Sequence, residues 1–267
     1  MKFSFMSFSC PEASLAEMLE IAGRFGYDGI EPRSQAQHRH GIEIDISDAQ
    51  RREIKKRFED SGIDCACIAT SIRYNFSDTG KLNENIELTK QFISLAADTG
   101  CRRIRVFGGM PDIEGRTAEE AIDIVGNALG KVKEAAEQYR VYICLETHDF
   151  FSRADLAARA VRLANSSFVR VNWDIMHPFT MGMKIEEAFS QVKDLVAHCH
   201  VHDGTYDRER NVTLALMGKG EIPYKRAVQL LKGIKYDGYL SGEYIGAWKP
   251  DVVLPHDIKV LRSYMSE

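Results

Sequence analysis

Short apolar, β-prone runs alternate along this chain with longer segments whose apolar residues recur at helical spacing. The runs lie near 3–8 (FSFMSF), 28–31 (DGIE), 63–69 (IDCACIA) and 103–107 (RIRVF). Four more lie near 141–146 (VYICLE), 168–173 (FVRVNW), 195–201 (LVAHCHV) and 238–243 (GYLSGE). Between them, sets such as Leu15, Met18, Leu19 and Ala22, or Ile86, Thr89, Phe92 and Ile93, fall on one face of a helix. Ser47 or Asp48 caps the second helix, and Gly26, Gly62 and Gly100 close the first three.

Strict strand–helix alternation implies βαβ units and a parallel sheet. An open doubly wound sheet would usually carry a glycine-rich phosphate turn after an early strand, but the first strand here is followed by SCPEAS. Eight such units in 267 residues fit an α/β (β/α)8 TIM barrel. No proline-rich or low-complexity linker interrupts the chain, so the expectation is a single domain over 1–267. The longest loops, 32–47, 175–183 and 203–222, follow strands two, six and seven and would wall a pocket.

Charge narrows the partners. With 35 basic and 39 acidic side chains the net charge is −4, which supplies no footprint for nucleic acid or an anionic membrane. Cys10, Cys65, Cys67, Cys101, Cys144 and Cys199 include no CxxC pair and sit in or beside apolar runs, as buried thiols of a reducing cytoplasm would. Cys65 and Cys67 share a strand face, a weaker metal or redox signal. The N-terminus has no signal-peptide core and no apolar run is long enough to span a bilayer, so a soluble cytoplasmic protein is expected. Homo-oligomerisation is left open.

Chemistry concentrates at the strand ends. In VNWDIMHP a strand made for burial ends on Asp174 and then offers His177. A buried carboxylate needs a partner charge or a metal. Strand five ends on Glu146, strand seven carries His198, His200 and His202 on one face, and strand eight ends on Glu243. The carboxyl ends of barrel strands surround one mouth, so Glu, Asp, His and Glu arrive together. Carboxylates packed so closely repel unless a cation relieves them. Oxygen donors with one imidazole suit one divalent ion, Mn²⁺, Mg²⁺, Co²⁺ or Zn²⁺.

LETHDFF, VNWDIMHP, HCHVHDG, MGKGEIPY and SGEYIG, in that order, resemble the sugar phosphate isomerase/epimerase family, the xylose isomerase-like barrels. The opening FSFMSFSCPEASLAEMLEIAGRFGYDGIEPR is similar as well, so the resemblance spans nearly the whole chain. It implies that Glu146, Asp174, His200 and Glu243 hold one divalent metal. His200 is preferred to its neighbours because the motif His-x-polar-Asp is matched by His200, His202 and Asp203. It also implies that His177 touches the substrate or the metal's surroundings and that GKGEI (218–222) closes the strand-seven loop.

Other residues keep two readings. Glu31 faces the mouth as a substrate contact or pairs with Arg33 or Arg105. His148 and His202 meet the substrate or sit satisfied at the rim. Arg105, with Arg103 and Phe107 on the same face, reaches a substrate hydroxyl or carboxylate. QHRH (37–40) is a cationic contact or a solvated loop, and Trp248 and Lys249 wall the pocket or lie on the surface. RREIKKRFED (51–60) reads as a solvated helix face.

The resemblance implies an isomerase of carbohydrate metabolism, a ketose epimerase or aldose–ketose isomerase acting on a sugar or cyclitol. The ion polarises a carbonyl and an adjacent hydroxyl, while Glu146 and Glu243 remove and return a proton. No basic cluster marks a phosphate site. A lyase dehydrating a keto-cyclitol or dehydroshikimate-like substrate is the alternative, with His177, His148 or His202 as the acid. A non-catalytic sugar-binding barrel is a further one, opposed by the complete quartet. A DNA repair endonuclease of the same superfamily would carry extra histidines after strands two and three, whereas strand three here ends IATSIRY. Abasic duplex DNA is therefore expected to stay uncut. Metal-dependent nicking that vanishes in Glu146→Ala would overturn that expectation.

Overall fold

The computed structural model describes residues 1–207 and 209–266; Arg208, inside the expected 203–222 loop, and Glu267 lie outside the described residues. A parallel sheet is formed by β1 (Lys2–Met6), β2 (Gly29–Glu31), β3 (Asp64–Cys65), β4 (Ile68–Arg73) and β5 (Arg103–Phe107). It continues with β6 (Tyr142–Glu146), β7 (Val169–Asp174), β8 (Val196–Val201) and, later in the chain, β11 (Tyr239–Gly242). The order is β3-β2-β1-β11-β8-β7-β6-β5-β4.

The expected third strand, 63–69, is split and runs further, as β3 and β4 with a break at Ala66 and Cys67. The ladder survives the break. Ala66 N–H donates to Ile30 O, Ala69 N–H to Pro32 O and Ser34 N–H to Ala69 O, each at 2.9 Å. Nine strands thus make eight staves, and the ring is nearly closed. The other seven strands fall within two residues of their expected bounds at each end.

Around the ring lie α1 (Leu15–Phe25), α2 (Asp48–Ser61), α3 (Thr79–Asp98), α4 (Ala118–Tyr139) and α5 (Ala154–Leu163). They are joined by α7 (Ile185–Val192), α8 (Tyr224–Gly233) and α9 (Pro250–Ser266), while α6 (Met176–Thr180) is a short turn of helix inside the loop after β7. Ser14 with Glu17, Ser47 with Gln50 and Thr117 with Glu120 form capping boxes that satisfy the first N–H groups of α1, α2 and α4. No helix among the described residues is long and apolar enough to cross a membrane.

Alternation along each stave divides two environments. In β7, Val169, Val171 and Trp173 are buried toward the helices, and the Trp173 ring lies 5.6 Å from Phe189 of α7. In β8, Cys199 and Val201 join that apolar layer, whereas His198 and His200, with His202 just beyond the strand, share the opposite, polar face with Asn172 and Asp174. All six cysteines are free and buried.

The loop after β8 is more ordered than expected, because Thr205, Tyr206, Val212 and Thr213 are β-prone. They form an antiparallel hairpin of β9 (Asp203–Tyr206) and β10 (Val212–Ala215). Its base is fastened by the buried Asp203 carboxylate, which accepts N–H bonds from Gly204 and Gly218 at 2.8 Å and Gly220 at 3.0 Å. GKGEI therefore closes this loop as the motif suggested. A Cβ at Gly220 would lie 2.2 Å from Asp203 Oδ1 and 2.5 Å from Gly204 N, so no larger residue fits without displacing the fastening. Gly220→Ala is expected to destabilise by about 1–3 kcal/mol, read as a melting temperature lowered by several degrees. Gly233→Ala, with nothing within 4 Å of the added carbon, is the control and should be neutral or stabilising.

Candidate metal centre

β6 ends on Glu146, β7 on Asp174, β8 carries His200 and Glu243 follows β11 directly; these four staves are neighbours in the ring. One donor atom from each residue lies within 4.8 Å of the others, and all four residues are buried. His200 Nδ1 is 2.7 Å from Glu146 Oε1 and 3.2 Å from Glu243 Oε2.

Three of the four are held from behind. Glu146 Oε2 is 3.2 Å from Arg105 Nε, without the alignment of a hydrogen bond. Arg105 Nη1 donates to Thr70 O at 2.8 Å, and its guanidinium sits 3.9 Å from the Phe107 ring centre. Asp174 Oδ1 accepts N–H bonds from Met176 at 2.9 Å and His177 at 3.3 Å, and Oδ2 is 2.7 Å from His202 Nε2. His200 Nε2 is 3.0 Å from Glu31 Oε1, and Glu31 Oε2 is 2.8 Å from His198 Nε2.

Burial opposes charge on His200, Glu243 and Asp174, and their partners overcome it. Burial would keep His200 neutral, but Glu31, Glu146 and Glu243 raise its pKa well above the usual histidine range. Burial would likewise protonate Glu243, yet His200, with His202 and Arg105, brings it down to about 2. Asp174 is held below its ordinary range by His202 and His177 against the same burial.

A divalent cation suits this set. Three carboxylates enclose one imidazole, and Glu146 Oε2 lacks a hydrogen-bond partner. Glu31 can only accept at His200 Nε2, so that nitrogen keeps its hydrogen, and Nδ1, which faces Glu146 and Glu243, is the nitrogen that can exchange its proton for a cation. Oxygen donors with one such nitrogen make a site for a divalent ion.

The sequence matches the family model described as xylose isomerase-like TIM barrel over residues 19–264. The chain belongs to that family. No curated protein sequence matches it. Solved structures with the same fold include the IolI protein with a bound zinc atom, 20% identical, TM-score 0.83, covering 99% of this chain and 96% of that one. An L-ribulose 3-epimerase aligns at 18% identity and TM-score 0.81, over 99% and 96% of the two chains. The probable 3-DHS dehydratase AsbF from Bacillus anthracis aligns at 21% and TM-score 0.80, over 98% and 99%.

Within this xylose isomerase-like barrel, the five expected substrate contacts separate by burial. Glu31, Arg105 and His202 are 0%, 1% and 5% exposed, and their polar atoms are engaged with His198 and His200, with Glu146 and Thr70, and with Asp174. Each of the three thus meets a residue of the quartet that is no more exposed than it is; their contact with substrate stays an expectation. Glu31 also pairs with neither Arg33 nor Arg105, because both its oxygens meet histidines.

His148 and His177 remain accessible, with side chains 32% and 23% exposed and ring centres 4.4 Å apart. His148 Nδ1 lies 2.9 Å from Asp149 Oδ1. Burial disfavours its charge, but Asp149 and Glu146 outweigh it and raise the pKa to about 9.

Of QHRH, His38 bonds Ser7 Oγ at 2.8 Å, and His40 is buried with Nε2 3.2 Å from Arg33 O. Burial lowers the His40 pKa to about 4, so it is a neutral structural ring rather than a cationic contact or a solvated one. Arg103 donates to Ala197 O at 2.8 Å. In 51–60, Arg57–Glu53 and Lys56–Asp60 are exposed pairs on α2, as a solvated face requires. A hollow of about 520 Å³ opens at the opposite end of the barrel, lined by Lys55, Asp64, Cys65 and Arg102 among others, away from this chemistry.

Sequence reasoning missed three contributors. His198 was visible only as a neighbour of His200 on the same face. Asp149 gave no signal of its partnership with His148. Tyr224 brackets the His202 backbone, its hydroxyl accepting from N–H at 3.1 Å and donating to O at 2.9 Å, which needs the packed helix α8.

The protein is expected to bind a divalent ion stoichiometrically when purified from metal-sufficient medium. Asp174→Asn should lose it, and chelation should lower the melting temperature of the wild type because the bound ion stabilises only the folded state. Elemental analysis finding no metal in the wild type would remove the site.

Proposed function

We propose that this protein is a divalent-metal-dependent epimerase or isomerase of an unphosphorylated ketose or cyclitol. The observation that supports it is the quartet itself. Glu146 and Glu243 stand three staves apart with Asp174 and His200 between them, so two carboxylates can approach one substrate from different sides.

Glu146, Asp174, His200 and Glu243 would hold the metal, and when bound it supplies Lewis-acid polarisation of a carbonyl and the adjacent hydroxyl. One glutamate takes the proton from the carbon beside the carbonyl, and the C–H electron pair moves into the new enediolate double bond. The other glutamate delivers a proton to the opposite face, or to the neighbouring carbon for isomerisation. The two are not equivalent. His200 Nδ1 approaches both, at 2.7 Å and 3.2 Å, but Glu146 also has the Arg105 guanidinium 3.2 Å away. His148 and His177 are exposed toward the solvent side and orient the substrate hydroxyls. The fold shared with an L-ribulose 3-epimerase supports this substrate class.

Dehydration is the second reading, favoured by the His148–Asp149 pair, an imidazolium near the quartet that can protonate a departing hydroxyl. The fold shared with the probable 3-DHS dehydratase is in keeping with it.

Incubation of candidate ketoses and cyclitols with the metal-loaded protein in D₂O tests both. Deuterium should enter beside the carbonyl, with epimer or isomer as product; a product lighter by one water selects the lyase. Glu146→Gln and Glu243→Gln should each lower turnover by about 10²–10⁴-fold, with metal content measured in parallel. Full activity in both metal-loaded variants would refute the mechanism.

A further inference from the structure

We infer that Glu31 is a positioning residue that fixes, through two imidazoles, which nitrogen His200 presents to a divalent cation; this rests on the reading of the quartet as a cation site. Glu31 ends β2, three staves from β8 in the ring, and its side chain meets β8 across the barrel interior. It is fully buried, and its two oxygens meet His198 Nε2 at 2.8 Å and His200 Nε2 at 3.0 Å. The two rings belong to same-face residues of one strand, 5.4 Å apart and inclined at 81°. One carboxylate therefore receives two N–H groups from two successive inward positions.

A carboxylate can only accept, so both Nε2 atoms must carry hydrogen. With Nε2–H held by Glu31, the proton that His200 gives up to a cation is the one on Nδ1, the atom 2.7 Å from Glu146 and 3.2 Å from Glu243. Without Glu31, the imidazole could place its single proton on Nδ1 and donate it to those carboxylates, occupying the place of a cation. His198 completes the device. By engaging the second oxygen it holds the Glu31 carboxylate against His200, while its own Nδ1 has no hydrogen-bond partner. Glu31 lies behind His200 and meets neither the mouth nor a reacting atom, so its effect passes through His200 alone.

A merely structural role predicts a different pattern. If Glu31 only fastens β2 to β8, its replacement lowers the stability of the metal-free protein and leaves cation affinity alone. Calorimetric titration of the metal-stripped full chain with Zn²⁺ alone separates the two. Glu31→Gln retains one acceptor and turns an amide N–H₂ toward one imidazole, so Zn²⁺ should bind about 10–100-fold more weakly. Glu31→Asp, which restores two acceptors, should recover part of the loss. Affinity equal to wild type in Glu31→Gln overturns the inference, whatever happens to its melting temperature.

A second measurement needs no variant. In the zinc-loaded wild type labelled with ¹⁵N at histidine, His200 should show a protonated Nε2 and a zinc-bound Nδ1. The reverse assignment overturns the inference even if Glu31→Gln does not fold. Wild type that takes up no Zn²⁺ overturns this inference and the cation site together. Wild type that binds Zn²⁺ with an indifferent Glu31→Gln overturns only the positioning role.

Discussion

Four carboxylates, Glu31, Glu146, Asp174 and Glu243, are buried inside one parallel barrel, and the architecture around them answers that constraint. Removing an ion from water costs several kcal/mol even after the protein relaxes. Each carboxylate is accordingly met by a cationic or N–H partner on another stave. Glu146 meets Arg105, Asp174 meets His202 and two backbone N–H groups, Glu31 meets His198 and His200, and Glu243 meets His200. The imidazole shared by three of these acids is the point where the compensation is thinnest, and where a divalent cation would complete it.

A barrel suits this task because its staves are rigid and their register is fixed. Apolar side chains facing outward bind each strand to its helices, so the inward positions are free to be polar without loss of the core. β8 shows both halves: Cys199 and Val201 pack outward, and His198, His200 and, just beyond the strand, His202 climb the interior at three levels. The lowest histidine serves Glu31, the middle one faces the quartet, and the highest braces Asp174. What approaches the site from solvent comes from the loops, His148 after β6 and His177 after β7.

That division also bears on chemistry. The residues expected to contact substrate differ in burial: Glu31, Arg105 and His202 lie among the quartet, and His148 and His177 are open to solvent. Arg105 and His202 carry charges or protons suited to substrate recognition, but each is already engaged within the ring. Under the proposed function, specificity falls to the exposed pair and the loops, and the reaction to the quartet.

Strand periodicity, glycine closures and polar strand ends were sufficient, from sequence alone, for the barrel, for the inward face of β8 and for the meeting of Glu146, Asp174, His200 and Glu243. These are local signals: a period of two, a cap or a chain position encodes them directly. The break of the third stave at Ala66 and Cys67, the hairpin fastened by Asp203 and the fate of Glu31, Arg105 and His202 were decided by the tertiary structure. Glu31 pairs with residues 167 and 169 positions away. Sequence sets a side chain on a face, but whether it meets substrate or another side chain depends on what the closed ring brings opposite it.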